Sequence, residues 1–269
     1  IQIAHGGRKA GHSLPWEGHL TLGLDEGGWE VLAPSAIPFS DKFATPKEMT
    51  KAEIAEATQQ FVDGALRSLE AGFKVVELHF AHGYLASSFL SPLSNTRTDE
   101  YGGSLENRSR FVIDTIKAIR KEIPESAPLV VRISSSEYVE GGFGIEDAVQ
   151  LSKWMKDAGV DLVDASAGGN NVNQVLELKP GYQVPFADAI RNQAGIMTGA
   201  VGLITEAKQA EEIIESGKAD AVFIGREMMR NPYWALYAQA QLDGKSEHWP
   251  VQYKPASMDF SYTGPSGNS

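Results

Sequence analysis

Cysteine is absent from the 269-residue chain. That absence excludes disulfides, thiolate-held iron–sulfur clusters, Cys-type zinc sites and a cysteine nucleophile within it. No apolar run approaches the length of a transmembrane helix. Positive charge is in deficit: 24 Lys and Arg against 35 Asp and Glu leave a formal charge of -11. This balance argues against nucleic acid or an anionic membrane as the main partner, although a small anion responds to local fields rather than to the total. With no leader-like opening, cytoplasm is the expected compartment.

Hydrophobic residues make up 42% and charged residues 22%, as in ordinary globular proteins, and the length suits one barrel-sized domain. Short apolar runs rich in β-branched residues recur at 1–5, 74–80, 128–134, 161–168, 195–202 and 220–226. They are close to continuous in hydrophobicity, as strands buried on both faces should be. Helical patterns lie between them. Thr50 with Glu53 three residues on is a capping box for a helix carrying Ile54, Phe61, Ala65 and Leu69, and Gly72 suits its stop. The pattern repeats over 105–122 and 145–158, after Thr205 as a cap, and after Asn231–Pro232.

Strands alternating with helices imply a parallel sheet, and polar or Gly-rich strand tips favour a (β/α)8 barrel over an open sheet. About six strand–helix units are present where a barrel needs about eight. The abrupt start predicts that this chain supplies roughly strands 3 to 8. Residues 10–48 show no helical period and read as a lid-like loop over the strand ends. The tail 257–269 is polar and turn-rich, and reads as disordered or appended.

In such a barrel the chemistry gathers at the C-terminal strand tips. The first tip offers Gln2, His5, Arg8 and Lys9; the second His79, His82 and Tyr84; the third Arg132; the fourth Ser166, Gly168 and Gly169. "TGAVG" (Thr198, Gly199, Gly202) and Gly225–Arg226 close the series. Glycine loops at the last two tips can expose N–H groups to a phosphate, with Arg226 adding a charged contact; the bland alternative is tight turns and a surface ion pair. Arg132, in the apolar run "PLVVRIS", needs an anionic or hydrogen-bonding partner, which an internal ion pair would also provide. His79 and His82 stand three apart and converge only where the chain leaves strand geometry. They fit a substrate oxygen, a metal site or the core; zinc would need a third ligand and a carboxylate that do not appear nearby.

The stretch "HFAHGYLASSFLSPLSNTRTDEYGGSLENRSRF" (79–111) resembles the signature of the Old Yellow Enzyme family of FMN-dependent oxidoreductases. "IQIAHGGRKA", "APSAI", "VVRIS", "TGAVG" and "FIGREMMRNP" continue the resemblance in order to about residue 253, and the His/His pair points to its thermophilic-like, xenobiotic-reductase-like branch. The resemblance implies an eight-stranded α/β barrel over 1–256, here lacking its first two strand–helix units, with FMN at its mouth. By the same likeness Gln2 contacts the flavin pyrimidine ring, and Arg132 lies beside flavin N1 and the C2 carbonyl. Gly199, Gly202, Gly225 and Arg226 bind the phosphate. His79 and His82 grip the oxygen of an electron-withdrawing group, and Tyr84 donates a proton.

The implied reaction uses NADPH or NADH to reduce the C=C bond of alkenes activated by carbonyl or nitro groups, with hydride from flavin N5 and no metal. The family's redox-tuning cysteine and the C-terminal arginine that reaches a neighbouring subunit have no counterpart here. Partners compatible with the likeness are a second copy of the chain and a segment that completes the barrel. The rival reading is a fragment of such a flavoprotein, non-catalytic until complemented.

Overall fold

The computed structural model describes residues 1–18 and 20–256. The tail 257–269 lies outside the described residues. Six strands form one parallel sheet: β1 (Gln2–Ala4), β4 (Val76–Phe80), β5 (Leu129–Ser134), β6 (Leu162–Ser166), β7 (Met197–Ala200) and β8 (Ala221–Val222), in that spatial order. Consecutive strands are neighbours, as repeated strand–helix crossovers dictate. They constitute six parallel strands of a (β/α)8 barrel.

The helices that return the chain are α1 (Lys51–Glu70), α3 (Leu105–Glu122), α4 (Ile145–Asp157), α5 (Val184–Ala194) and α6 (Ala207–Glu215). A short α2 (Leu85–Leu90) follows β4, and α7 (Arg226–Arg230) and α8 (Trp234–Asp243) follow β8. The α1 capping box forms as read from the sequence: Glu53 N–H donates to Thr50 Oγ1 at 3.2 Å, and Thr50 N–H donates back to the Glu53 carboxylate at 2.8 Å. Ile54, Ala57, Phe61 and Ala65 then fall on one buried face.

Two expectations need correction. Thr205 does not cap α6: Glu206 holds that position without a side-chain cap, and Thr205 N–H is taken by Gln209 Oε1. Asn231 caps the turn ahead of α8 rather than the helix, its Oδ1 accepting from Tyr233 N–H at 3.2 Å. Residues 10–48 fold into short 3-10 turns and a two-residue parallel pair, β2 (Leu32–Ala33) with β3 (Lys47–Glu48). They are fastened to the loop after α2, where Arg97 donates to Pro34 O at 3.1 Å and Met49 O at 2.6 Å. At the strand tips the same segment meets Arg8, which donates to the carbonyls of Ile37 and Pro38, and Lys9, whose ammonium lies over the Phe39 ring.

Alternation along the strands divides the sheet into two unlike faces. Val76, Leu78 and Phe80 of β4, Val131 and Ile133 of β5, and Val163 and Ala165 of β6 are fully buried outward, against the helices. The inward positions carry the polar residues Gln2, Glu77, His79, Arg132, Ser134, Asp164 and Ser166, together with the apolar Ala4, Val130 and Leu162. Register places His79, Arg132, Asp164 and Gly199 at one level across four strands.

Phe80 anchors the outward face, with its ring edge-on to Phe61 of α1 at 5.4 Å. Phe80→Ala should cost about 3–5 kcal/mol through lost transfer energy and a residual cavity, read as a lower urea midpoint with unchanged slope.

Candidate active site

A cavity of about 360 Å³ opens at the C-terminal ends of β4 to β8, and its walls include His82, Arg132, Ser166, Gln183, Gly202 and Arg226. Gly225 and Tyr182 also border it. Five of the residues expected from the sequence, Arg132, His82, Gly202, Gly225 and Arg226, therefore meet at one place.

His79 and His82 converge because the chain leaves strand geometry after β4. His82 adopts φ 60°, a left-handed conformation rare outside glycine. Its N–H donates to Ser134 Oγ at 2.8 Å, and its carbonyl accepts from the Lys9 ammonium at 2.8 Å. Gly169 passes so close that a Cβ there would stand 2.7 Å from His82 Cα, so only glycine fits.

Hydrogen bonds fix both tautomers. Ala81 N–H donates to His79 Nδ1 at 3.2 Å, so the His79 hydrogen is on Nε2. That N–H donates to His82 Nδ1 at 3.2 Å, which leaves the His82 hydrogen on Nε2, donating to Ser166 Oγ at 2.7 Å. Ser166 in turn donates to Gln183 Oε1 at 3.2 Å. Every link carries one hydrogen in one direction.

Both rings stay neutral. Burial first, then the Arg132 charge, lowers His79 to about 4. Burial, with His79 and Arg132 adding to it, lowers His82 to about 3. Tyr84 stands at the N-terminus of α2 with its ring tilted over His79, centroids 4.9 Å apart.

The flavin contacts predicted from the likeness separate into two groups. Arg132, Gly202, Gly225 and Arg226 line the cavity, whereas Gln2 and Gly199 do not line it among the described residues. Gln2 instead donates to Glu77 Oε2 at 2.7 Å. Gly199 gives its space to the Phe223 ring, whose nearest atom would lie 2.0 Å from an added Cβ. The residues suit a flavin phosphate and ring: a guanidinium with a buried Nε free of hydrogen bonds, open backbone at Gly225, and Arg226 and Arg230 at the rim. No cluster of three His, Cys, Asp or Glu that could hold a metal occurs among the described residues.

Sequence reasoning missed Gln183, Glu77 and Asp164. Gln183 sits in a loop without a motif. Glu77 two residues before His79, and Asp164 in the apolar run "DLVDASAG", carried a signal in their period-two placement on inward positions.

Residues 1–245 match the family described as NADH:flavin oxidoreductase / NADH oxidase. An NADPH dehydrogenase of Geobacillus thermodenitrificans (strain NG80-2) is 52% identical over 254 residues, covering 94% of this chain and 69% of that protein. A solved 2-naphthoyl-CoA reductase in complex with 2-naphthoyl-CoA superposes with a TM-score of 0.76 at 28% identity. The match takes in 90% of this chain and 37% of that one, so the chain spans little more than a third of its length. TcOYE with pHBA superposes with a TM-score of 0.67 at 24% identity over 94% of this chain and 70% of that one, which shows a shared fold.

The neutral pair also predicts acid sensitivity. Both histidines titrate lower in the folded chain than the ordinary 6.5. The unfolded chain therefore takes up protons first as pH falls. Their contribution is complete above about 6.5 and is lost progressively as pH falls towards about 4 and then 3. His82→Asn should make urea stability less steep with pH between about 6.5 and 4 than in the parent chain.

Proposed function

The chain belongs to the NADH:flavin oxidoreductase / NADH oxidase family of FMN-dependent enzymes, in keeping with the Old Yellow Enzyme likeness of its motifs, and we propose that it reduces the C=C bond of alkenes activated by a carbonyl or nitro group. The observation that carries this reading is the neutral, tautomer-fixed His79–His82 pair beside a cavity walled by Arg132. Bound FMN would pass a hydride taken from NADPH or NADH to the β-carbon of the alkene.

The protein residues do the rest. Arg132, Gly202, Gly225 and Arg226 would hold the cofactor, the guanidiniums facing its anionic parts. His82 and His79 would turn N–H groups to the oxygen on which charge develops. To do so, each ring trades its present acceptor, Ser166 Oγ for His82 and His82 Nδ1 for His79, for that oxygen. Uncharged imidazoles can donate in this way without transferring a full proton, which leaves protonation of the α-carbon to the Tyr84 hydroxyl.

A second reading rests on the open sheet: β1 and β8 each pair on one side only among the described residues. In that reading the chain binds FMN and turns over only with a complementing segment, or in a homo-oligomer. Unpaired strand edges are what such a segment would cover.

Tyr84→Phe tests the proton-donor assignment. After loading with FMN, anaerobic reduction by NADPH should proceed at nearly the parent rate, while 2-cyclohexenone reduction slows by about 100-fold or more, as for loss of a positioned general acid. Equal losses in both half-reactions would remove Tyr84 from the role. A parent chain that stays colourless after FMN loading would instead support the complementation reading.

A further inference from the structure

The reading above leaves two inward carboxylates beside Arg132, those of Asp164 and Glu77, without a task. At the level of His79, Arg132 of β5 stands beside Asp164 of β6, and Glu77 projects inward from β4 one pleat below. Asp164 is fully buried. Arg132 Nε lies 3.3 Å from Asp164 Oδ2, yet the two are not aligned for a hydrogen bond. Neither Asp164 oxygen accepts a hydrogen bond among the described residues, and Glu77 Oε1 is buried in the same condition. On its other side, the strand partner of Asp164 is Gly199, which brings no charge. Glu77 lies within hydrogen-bonding reach of Asp164, so the charged groups acting on Asp164 are Arg132 and Glu77.

An ionised Asp164, fully buried and with no donor, would lack solvation and be repelled by Glu77, whose Oε2 accepts from Gln2 while its Oε1 is buried without a partner. One proton between them removes both costs. We infer that Asp164 is a carboxylic acid donating its O–H to Glu77, and that this pair, holding one negative charge in all, positions the Arg132 guanidinium in the cavity wall and balances its charge. Arg132 and the pair are then electroneutral together. Loss of the shared proton would turn the cluster net negative, directly behind the wall where an anion is to be held. In agreement, burial first, offset by Arg132 and reinforced by Glu77, pushes Asp164 up to about 7. The consequence for a flavin rests on the FMN reading of the cavity; the shared proton does not.

Infrared difference spectroscopy of the protein at pH 6 tests the proton directly. A protonated-carboxyl C=O band that shifts in D2O and vanishes in Asp164→Asn is expected; a parent protein with no such band, or a band kept in the variant, overturns the inference.

Stability gives an independent measure. The folded chain keeps a proton at Asp164 that the unfolded chain releases near the ordinary aspartate value of about 4. Through this group stability falls as pH rises from there to about 7, by up to about tenfold in the folding constant per pH unit. Asp164→Asn should remove that part of the slope, and an unchanged slope counts against the proton. If Asp164→Asn does not fold, Glu77→Gln replaces it: an amide donating to an ionised Asp164 should abolish the same band and slope.

With FMN bound, the potential of the parent should fall more steeply above neutral pH than that of Asp164→Asn. Parallel slopes would refute the charge-balancing role. If the chain alone does not bind FMN, the complementation reading gains, while the infrared and stability results still decide the proton.

Discussion

The register of three parallel strands is the constraint on which the rest depends. Because β4, β5 and β6 run side by side in phase, His79, Arg132 and Asp164 arrive at one level and on one face. Parallel strands in a barrel must bury both faces. The outward residues meet that demand with aliphatic and aromatic packing against α1, α3 and α4. The inward residues meet it with ionisable groups that have to satisfy one another or a bound molecule. A one-residue slip in any strand would exchange the two sets, placing Arg132 among the helices and Val131 in the cavity. The core therefore locks the site, since the apolar alternation that stabilises the sheet also fixes which side chains face the lumen.

Burial then acts on acids and bases in opposite directions with a common result. It lowers the affinity of the two imidazoles for protons, helped by the Arg132 cation, and raises that of the Asp164 carboxyl. All three groups move towards neutrality. The Arg132 guanidinium stands beside them, and Arg226 and Arg230 add two more to the cavity wall. Lys9 extends the same logic. Burial lowers its ammonium to about 8, while the carbonyls of His82 and Gly169 and the face of Phe39 receive its hydrogens and charge.

Much of this was legible in the residue order. The six apolar runs became the six parallel strands, because continuous β-branched segments between amphipathic helices have few alternatives. The capping box at Thr50 formed because its hydrogen bonds are local. Arg132, His82, Gly202 and Gly225 with Arg226 meet at one cavity because they end successive strands. What escaped was set largely by tertiary contacts. The cap expected at Thr205 moved by one residue to Glu206, and the Thr205 hydroxyl donates to the Glu206 carboxylate instead. Gly199 supports Phe223 rather than lining the cavity, a difference that depends on which residue packs against a glycine. The anchorage of 10–48 by Arg97 was not legible either, because its bonds to Pro34 and Met49 have no local signature.

The strained backbone at His82 shows how the sheet and the site are joined. A non-glycine residue in the left-handed region costs on the order of 1 kcal/mol or more, and it persists only where its surroundings over-determine it. Here three strand tips supply the constraint. Ser134 from β5 takes the His82 N–H, Lys9 after β1 holds its carbonyl, and Ser166 from β6 receives its ring N–H. Ser134 also donates to Gly168 O at 2.8 Å, so the same hydroxyl ties β5 to the loop after β6. Released from this φ, the chain would continue as a strand, and His82 would point away from His79. The strain is thus the physical cost of turning an His-x-x-His spacing, which a strand would split between two faces, into adjacent rings. Three neighbouring strands must be in register before that cost is met.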